Sequence, residues 1–426
     1  MQYVRFHNIL HDEVGLYDTD SNGLPLYNFS YIDQIYDGIL ETGVKPFVEL
    51  SFMPRKLARN LLPHAFWYKP LPSPPKDYNK WDAMIMALTR HLIDRYGLGE
   101  VSSWYFEVWN EPNLDFWTGD PAEATYYELY DHTASSIKAV SPKLKVGGPA
   151  TAQAAWVDRF LAHCSNSHVA VDFVSTHVYG NDTAPNVLGT NERVTRADMV
   201  TRAVRKVYDQ VKRSPLPNVE IHWTEYNASY MNEVEVTDSP FMGPWLARTI
   251  AGCDGLATTM SYWTFSDVFE EQGVVKQPFY GGYGLIAAGG IPKAAFNAFA
   301  LFNRLGFERL ENPSPDVLVT KRPDGTLVIA LWNYAEAEEN GHNRDFVLEF
   351  RPVSETAKGR ITIVDRDHGS ALRAWKEMGS PHFPSREERT RLRQAGALPD
   401  PTPLNVQARL PITLAPKALA LIEITR

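Results

Sequence analysis

WYFEVWNEPNLDFW, residues 104–117, is the stretch on which the reading of this chain turns. Its first six residues, Trp104-Tyr105-Phe106-Glu107-Val108-Trp109, are aromatic and β-branched around one acid, which predicts a buried strand. The run stops at Asn110-Glu111-Pro112, where a carboxylate stands between an amide and a proline. Proline has no backbone donor and ends the ladder, so Glu111 is expected at a strand end. The plainest explanation is an acidic residue opening a helix, where the dipole favours negative charge.

Working outward, six further segments read as strands: residues 3–7, 45–52, 144–147, 172–177, 220–224 and 260–265. Between them the apolar spacing becomes helical. Ile32, Ile35, Tyr36, Ile39 and Leu40 form one stripe, stopped by Gly43. Trp81, Met84, Ile85, Leu88, Leu92 and Ile93 form a second, stopped by Gly97. Asp120-Pro121-Ala122-Glu123 reads as a cap, a first-turn proline and a capping glutamate. It opens a helix with Tyr126, Leu129, Tyr130, Thr133, Ile137 and Val140 on one face. Val200, Ala203, Val204, Val207 and Val211 make a fourth stripe.

Strands alternating with helices predict βα units and a parallel sheet. A doubly wound nucleotide-binding sheet would carry a glycine-rich phosphate loop after a strand, and none follows any of these. Polar and aromatic residues follow strand after strand instead, the habit of a TIM (β/α)8 barrel. After about residue 306 short strands separated by turns, at 317–321, 327–332, 346–350, 360–364 and 418–424, predict an antiparallel β-sandwich. The expected division is a barrel over 1–305 and a sandwich over 306–426, with 379–403 as a long surface loop or short helix.

Composition narrows the class. The 426 residues are 44% apolar and 22% charged, an ordinary globular balance. A net charge of −9 argues against nucleic acid or anionic membrane as partner. No apolar run is long enough to span a bilayer. The first residues lack a signal-peptide core, which points to the cytoplasm. Two cysteines, Cys164 and Cys253, are too few for a disulfide framework and are expected as buried thiols. The oligomeric state is left open.

A second segment changes the weight on Glu111. His222-Trp223-Thr224-Glu225-Tyr226-Asn227 also ends a hydrophobic strand on a glutamate. In a parallel barrel both acids then share the face formed by the C-terminal strand ends. Two facing carboxylates are what glycosidic cleavage needs: one protonates the leaving oxygen, the other attacks the anomeric carbon or activates water. No H-x-x-x-H or H-E-x-x-H pattern accompanies His177 or His222, so no metal is expected. Neither Ser51 nor Ser175 lies in a nucleophile elbow. No cofactor is implied.

The motifs, in order, are RFH (5–7) with LHD (10–12), FVELSFMP (47–54), FEVWNEPNL (106–114), KVGGP (145–149), HVY (177–179), TEYN (224–227) and YWTFSDVFEE (262–271). Together they resemble glycoside hydrolase family 39, the β-xylosidases and α-L-iduronidases, with the xylosidase branch much the nearer. The resemblance implies a retaining barrel enzyme whose acid/base is Glu111 and nucleophile Glu225. It implies that Asn110 binds the sugar 2-hydroxyl and that Arg5 supports the nucleophile. Tyr179 would adjust the nucleophile's proton and His177 steer the acid/base. Trp263 would floor the glycone, and Glu270 and Glu271 would accept its distal hydroxyls. His7, Asp12, Phe116 and Tyr230 would line the subsite. Each has a plainer alternative: His7 as a barrel histidine, Asp12 and Tyr230 as loop structure, Phe116 and Trp117 as packing aromatics, Glu270-Glu271 as solvated charge. Glu49 and Glu107 read as structural acids within strands.

The implied substrate is a small carbohydrate such as xylobiose or a xylo-oligosaccharide. A uronate would call for Lys or Arg near the glycone, where this sequence offers Glu270 and Glu271. The rivals are an iduronidase-like, β-glucosidase or arabinosidase activity, or a non-catalytic carbohydrate-binding protein. Seven strands are one short of a closed barrel, and residues 5–7 resemble the family's second strand. The resemblance therefore implies an N-terminally shortened chain without its first βα unit; the alternative is a strand near residues 61–68.

Overall fold

The structure, a computed structural model, describes residues 1–269, 271, 273–350 and 357–425. Seven parallel strands form a nearly closed barrel: β1 (Tyr3–Phe6), β2 (Lys45–Leu50), β3 (Tyr105–Val108), β4 (Lys145–Thr151), β5 (Phe173–Tyr179), β6 (Glu220–Asn227) and β7 (Thr259–Tyr262). Their order in the sheet is their order in the chain. Among the described residues β1 and β7 are its two edges, and residues 61–68 are irregular rather than a strand.

Helices α1 (Ser30–Glu41), α2 (Tyr78–Tyr96), α3 (Ala122–Val140), α4 (Val157–Ser167), α5 (Arg196–Arg213) and α6 (Met242–Cys253) alternate with the strands. Their apolar stripes face the sheet, as the helical spacing requires. Trp81, Met84 and Leu88 of α2 and Val200, Val204 and Val207 of α5 are buried. Cys164 and Cys253 are free, buried thiols. Asp120 does not cap α3: the helix starts at Ala122, so Pro121 holds the cap position and Asp120 stands one residue too early. No helix among the described residues is long and apolar enough to cross a membrane.

Several strands run past their expected ends. Residues Gly147-Gly148-Pro149 look like a stop, yet β4 continues to Thr151. The glycine is there for proximity: a Cβ on Gly147 would meet the Phe173 carbonyl oxygen at 2.2 Å. The missing donor of Pro149 coincides with a register shift against β5.

Period-two alternation fills the barrel interior in layers. The lowest is aromatic, with Tyr3, Phe47, Tyr105 and Phe173 packed together and His222 edge-on to Phe47. Two residues on, each inward position becomes charged or polar: Arg5, Glu49 and Glu107, the last two opposite each other in register.

After α7 (Ala294–Phe302) the strands turn antiparallel. A six-stranded sheet has the order β8 (Glu308–Leu310), β9 (Val317–Lys321), β10 (Leu327–Trp332), β15 (Leu419–Thr425), β12 (Lys358–Val364), β13 (Thr402–Leu404). A separate pair joins β11 (Arg344–Glu349) to β14 (Arg409–Leu414). The strands at 308–310, 402–404 and 409–414 lack a continuous apolar run and escape a reading by pattern. On β10, Val328, Ala330 and Trp332 join the barrel core with Trp245 of α6, while Ile329 and Leu331 pack with Phe346 and Leu414. The Pro- and Arg-rich stretch holds a helix, Arg386–Gly396, opened by a capping box of Ser385 and Glu388. Leu392 and Trp375 from this region pack on Phe279 and Ile291, below the loop that follows β7.

That loop is anchored by a buried cation. The Lys293 ammonium, with no exposed side-chain surface, lies 2.6 Å from Asp238 and 3.0 Å from Asp267. The two acids also accept from the backbone N–H of Gly281 and Gly284. Removing one partner of a buried ion pair strands the other charge in low dielectric. Lys293→Met is therefore expected to lower unfolding free energy by about 3–5 kcal/mol, read from urea unfolding at neutral pH. An unchanged midpoint would show that the clamp contributes nothing.

Candidate active site

The strand of the opening motif ends at Val108, not at Pro112. The backbone then enters the left-handed region at Trp109 (φ 71°) and again at Glu111 (φ 45°). Non-glycine residues adopt this region at a cost and do so mainly where the surroundings enforce it. Here the Glu111 N–H donates to the Ala150 carbonyl at 2.8 Å, and the Trp109 indole donates to the Phe116 carbonyl. Residues 112–116 form turns, so no helix dipole explains the Glu111 carboxylate. The double twist swings Asn110 and Glu111 over the barrel mouth. Glu225, by contrast, lies inside β6 and reaches the mouth from a regular strand.

Arg5 ties these elements together from β1. Its guanidinium donates to Glu107 at 2.5 Å, Glu225 at 2.7 Å and the Asn110 side-chain oxygen at 2.9 Å. It also lies 2.8 Å from Glu49. Burial works against the charge, but the three carboxylates outweigh it and hold Arg5 firmly protonated. His7 contacts Glu49 at 2.8 Å, and Ser51 donates to the same carboxylate. Burial alone would lower the His7 pKa; Glu49 overrides it and raises it above the ordinary value. Burial likewise pushes Glu49 up, and Arg5 with His7 brings it below the ordinary range.

Above this base stand the two candidate catalytic acids. The second oxygen of Glu225 accepts from the Tyr179 hydroxyl at 2.7 Å. Glu111 meets His177 Nδ1 at 2.9 Å, and the other ring nitrogen meets Thr224 Oγ1 at 3.0 Å. Thr224 in turn donates to Glu107 at 2.7 Å, which links the acid to the Arg5 base. Burial pushes Glu111 up to about 7, with His7 and Arg5 opposing and Glu49 and Asp115 reinforcing. Burial lowers His177 to about 4, so its imidazole is neutral near pH 7. Metal-capable atoms of Glu111, His177 and Glu225 lie within 4.8 Å of one another. Arg5 and Tyr179 donate to the two oxygens of Glu225, while Glu111 and His177 meet each other.

The remaining residues singled out in the sequence divide. Trp263 packs its indole 4.7 Å from the His7 ring and 5.8 Å from the Arg5 guanidinium. Asn227 holds the Trp263 carbonyl at 2.6 Å. Glu271 approaches the same cluster; burial pushes its carboxyl up to about 8, His7 opposes, and Glu225 and Glu111 reinforce. Its backbone carbonyl accepts from the Trp67 N–H at 2.9 Å, joining the loops after β2 and β7. Glu270 lies outside the described residues. Tyr230 sits half-exposed at the rim, edge-on to Tyr179 at 5.9 Å. Asp12 and Phe116 make contacts of other kinds. Asp12 accepts from the Arg55 N–H at 3.1 Å and ties two loops together. Phe116 stacks on Phe52 and His64 behind the His7 wall, and Trp117 packs on Trp109.

Sequence reasoning passed over Thr224, Asp267 and Lys293, and read Glu49 and Glu107 only as layer acids. The signal for Glu49 and Glu107 was present: both fall in the inward register of their strands, level with one another. Thr224 carried none beyond its place before Glu225.

A family model for glycosyl hydrolases family 39 matches residues 1–409. A β-xylosidase of Geobacillus stearothermophilus is 41% identical over 399 residues, spanning 91% of this chain and 78% of that protein. A β-xylosidase of Caldicellulosiruptor saccharolyticus is 37% identical over 411 residues, spanning 93% of this chain and 82% of that protein. A solved structure of a family 39 β-xylosidase from Caulobacter crescentus superposes with a TM-score of 0.87 at 34% identity, covering 100% of this chain and 89% of that one.

The raised carboxyl is directly measurable. In a ¹³C-NMR titration of glutamate side chains, one resonance absent from Glu111→Gln should be half-ionised at about pH 7. A midpoint in the ordinary carboxylate range would remove the desolvation argument.

Proposed function

The chain belongs to glycosyl hydrolases family 39, and from that membership we propose that it is an exo-acting β-xylosidase cleaving β-1,4-xylosides and short xylo-oligosaccharides with retention. The observation that carries the reading is the carboxylate pair. One oxygen of Glu111 lies within 4.8 Å of one of Glu225. Retaining glycosidases set their carboxyl groups about 5–5.5 Å apart, inverting ones about 6.5–9.5 Å.

The environments assign the roles. Glu111, protonated up to about pH 7, gives its proton to the glycosidic oxygen as the bond to the anomeric carbon breaks. Glu225, ion-paired with Arg5, supplies the electron pair that forms the glycosyl ester. Water, deprotonated by the Glu111 carboxylate, then displaces Glu225. When Glu225 loses its charge in the ester, Arg5 keeps Glu49 and Glu107 as partners, so no uncompensated cation is left behind. Trp263 offers an apolar face to the sugar ring, and Asn110 is oriented by Arg5 for the 2-hydroxyl.

The choice of sugar rests on charge. An iduronate carboxylate calls for a cation, and Arg5, His7 and Lys293 are each held by buried carboxylates. That favours a neutral glycone such as xylose. A non-catalytic binding protein would have no need of an Arg5-supported carboxylate facing a neutral acid. We read residues 1–305 as the catalytic unit and 306–426 as a β-sandwich; the shared core of Ile329, Leu331, Phe346 and Leu414 supports the sandwich.

Hydrolysis of a nitrophenyl β-xyloside followed by ¹H-NMR should release β-xylose first, and the reading fails if α-xylose leads. A panel of nitrophenyl glycosides would test the sugar, with xylosides expected to exceed arabinosides, glucosides and iduronides in kcat/KM.

The acid and nucleophile separate by mutation. Glu225→Ala should lose at least about 10⁴-fold in kcat on every aglycone. Glu111→Ala should lose about 10²–10⁴-fold on poor leaving groups, little on dinitrophenyl xyloside, and should be rescued by azide. Equal losses on both aglycones at position 111 would remove its role as the acid.

A further inference from the structure

We propose that Thr224 is a positioning residue: it fixes the tautomer of His177 so that the imidazole accepts a hydrogen bond from Glu111 rather than donating one, and thereby holds Glu111 in its acid form. The inference rests on the reading of Glu111 as proton donor and assigns a role to a residue that makes no contact with either catalytic carboxylate's reacting face.

The argument follows one hydroxyl hydrogen. Thr224 Oγ1 carries a single hydrogen and lies 2.7 Å from Glu107 and 3.0 Å from His177 Nε2. Glu107 is ion-paired with Arg5 at 2.5 Å and is an acceptor only. A charged acceptor claims the hydrogen over a neutral ring nitrogen. Thr224 is then left with lone pairs toward His177, so Nε2 must carry the ring proton. A neutral imidazole has only one, so Nδ1 is a bare acceptor. It lies 2.9 Å from Glu111 Oε1, and a hydrogen bond there exists only while Glu111 is protonated. A bond made to the neutral form favours that form. The opposite tautomer would point Nδ1–H at Glu111 and favour the carboxylate. Glu107, Thr224 and His177 are fully buried, so water does not substitute for the missing hydroxyl.

Glu111 and His177 are faced by charged and titratable groups from every neighbouring element. Arg5 and His7 come from the end of β1 and favour the Glu111 carboxylate; Glu49 of β2 and Asp115 after β3 favour its acid. Glu107 of β3 and Glu225 of β6 face His177. Tyr179 and Asp182 at the end of β5 and Glu271 after β7 complete the ring around Glu111. Thr224→Val leaves all of these in place and removes only the hydroxyl.

The test is the pH profile of kcat/KM on xylobiose, whose leaving group requires the proton. Thr224→Val is expected to move the alkaline limb toward acid by ~1 unit. That corresponds to roughly a fivefold loss at pH 7 from the smaller protonated fraction. Dinitrophenyl xyloside should lose little at any pH, and Thr224→Ser should restore the wild-type profile. A uniform loss in Thr224→Val with the limb unmoved would mark Thr224 as merely structural and overturn the proposal. Glu111→Ala in the same assay separates the two readings. If the alkaline limb persists there, Glu111 is not the acid; if it vanishes while Thr224→Val leaves it unmoved, only the role of Thr224 fails. Should the valine variant not fold, ¹⁵N shifts of the His177 ring in the unmodified protein decide the point. A proton on Nε2 is expected, and one on Nδ1 would overturn the assignment.

Discussion

A buried guanidinium is the constraint on which this site depends. Arg5 lies at a sheet edge of the barrel, yet it contacts side chains from β2, β3, β6 and the turn after β3. Placing one cation among three carboxylates in low dielectric is costly unless every donor is used. Here each of the three guanidinium nitrogens has a partner, and each acceptor is part of the site or one step from it. Removing Arg5 would leave Glu49, Glu107 and Glu225 facing one another with only His7 between them. The aromatic layer below, Tyr3, Phe47, Tyr105 and Phe173, seals the charges from the barrel's lower end. The geometry of the mouth is therefore set by electrostatics in the layer beneath it.

The barrel's strands and helices were legible because burial leaves a periodic trace. Stripes such as Val200, Val204 and Val207 reach the page as spacing. What was not legible depended on contacts between distant residues. The stop at Pro112 was misplaced because the turn at Trp109 is held by Phe116 and Ala150, which local propensity does not reveal. Strand β4 runs through Gly147-Gly148-Pro149 because its neighbour lies too close for a side chain. The tether from Asp12 to the Arg55 N–H and the stacking of Phe116 on His64 were likewise out of reach of the motifs that hold them. Lys293, far along the chain, anchors a loop whose own motif was readable while its support was not.

The C-terminal strands matter to the mouth through packing rather than chemistry. One face of the six-stranded sheet continues the barrel core through Trp245 and Trp332. The helical insertion between β12 and β13 lays Trp375 and Leu392 under Phe279. Asn297 of α7 donates to the carbonyls of Gly369 and Gly396 in the same region. These contacts sit beneath the loop that bears Trp263 and Glu271. Under the proposed function this loop offers one aromatic face and one carboxyl at fixed positions, and such a floor would hold them, because loops are the most mobile part of a fold.

Two glutamates of the same chemistry differ here only in what surrounds them. Both are buried. Glu225 meets Arg5 and Tyr179 through both its oxygens, so the anion is solvated by the protein in place of water. Glu111 meets a neutral imidazole and is not paired with an arginine or lysine, so burial outweighs the opposing fields of His7 and Arg5. The ion pair that sets Glu225 apart from Glu111 does not come from its sequence neighbours, Thr224 and Tyr226. It comes from which strand carries the arginine: β1 places Arg5 beside β6 across the barrel interior, and the twisted turn after β3 carries Glu111 above it. Acid and anion are thus told apart by their partners within one barrel, and the fold supplies the difference by ending one strand in a left-handed turn while letting the other run on.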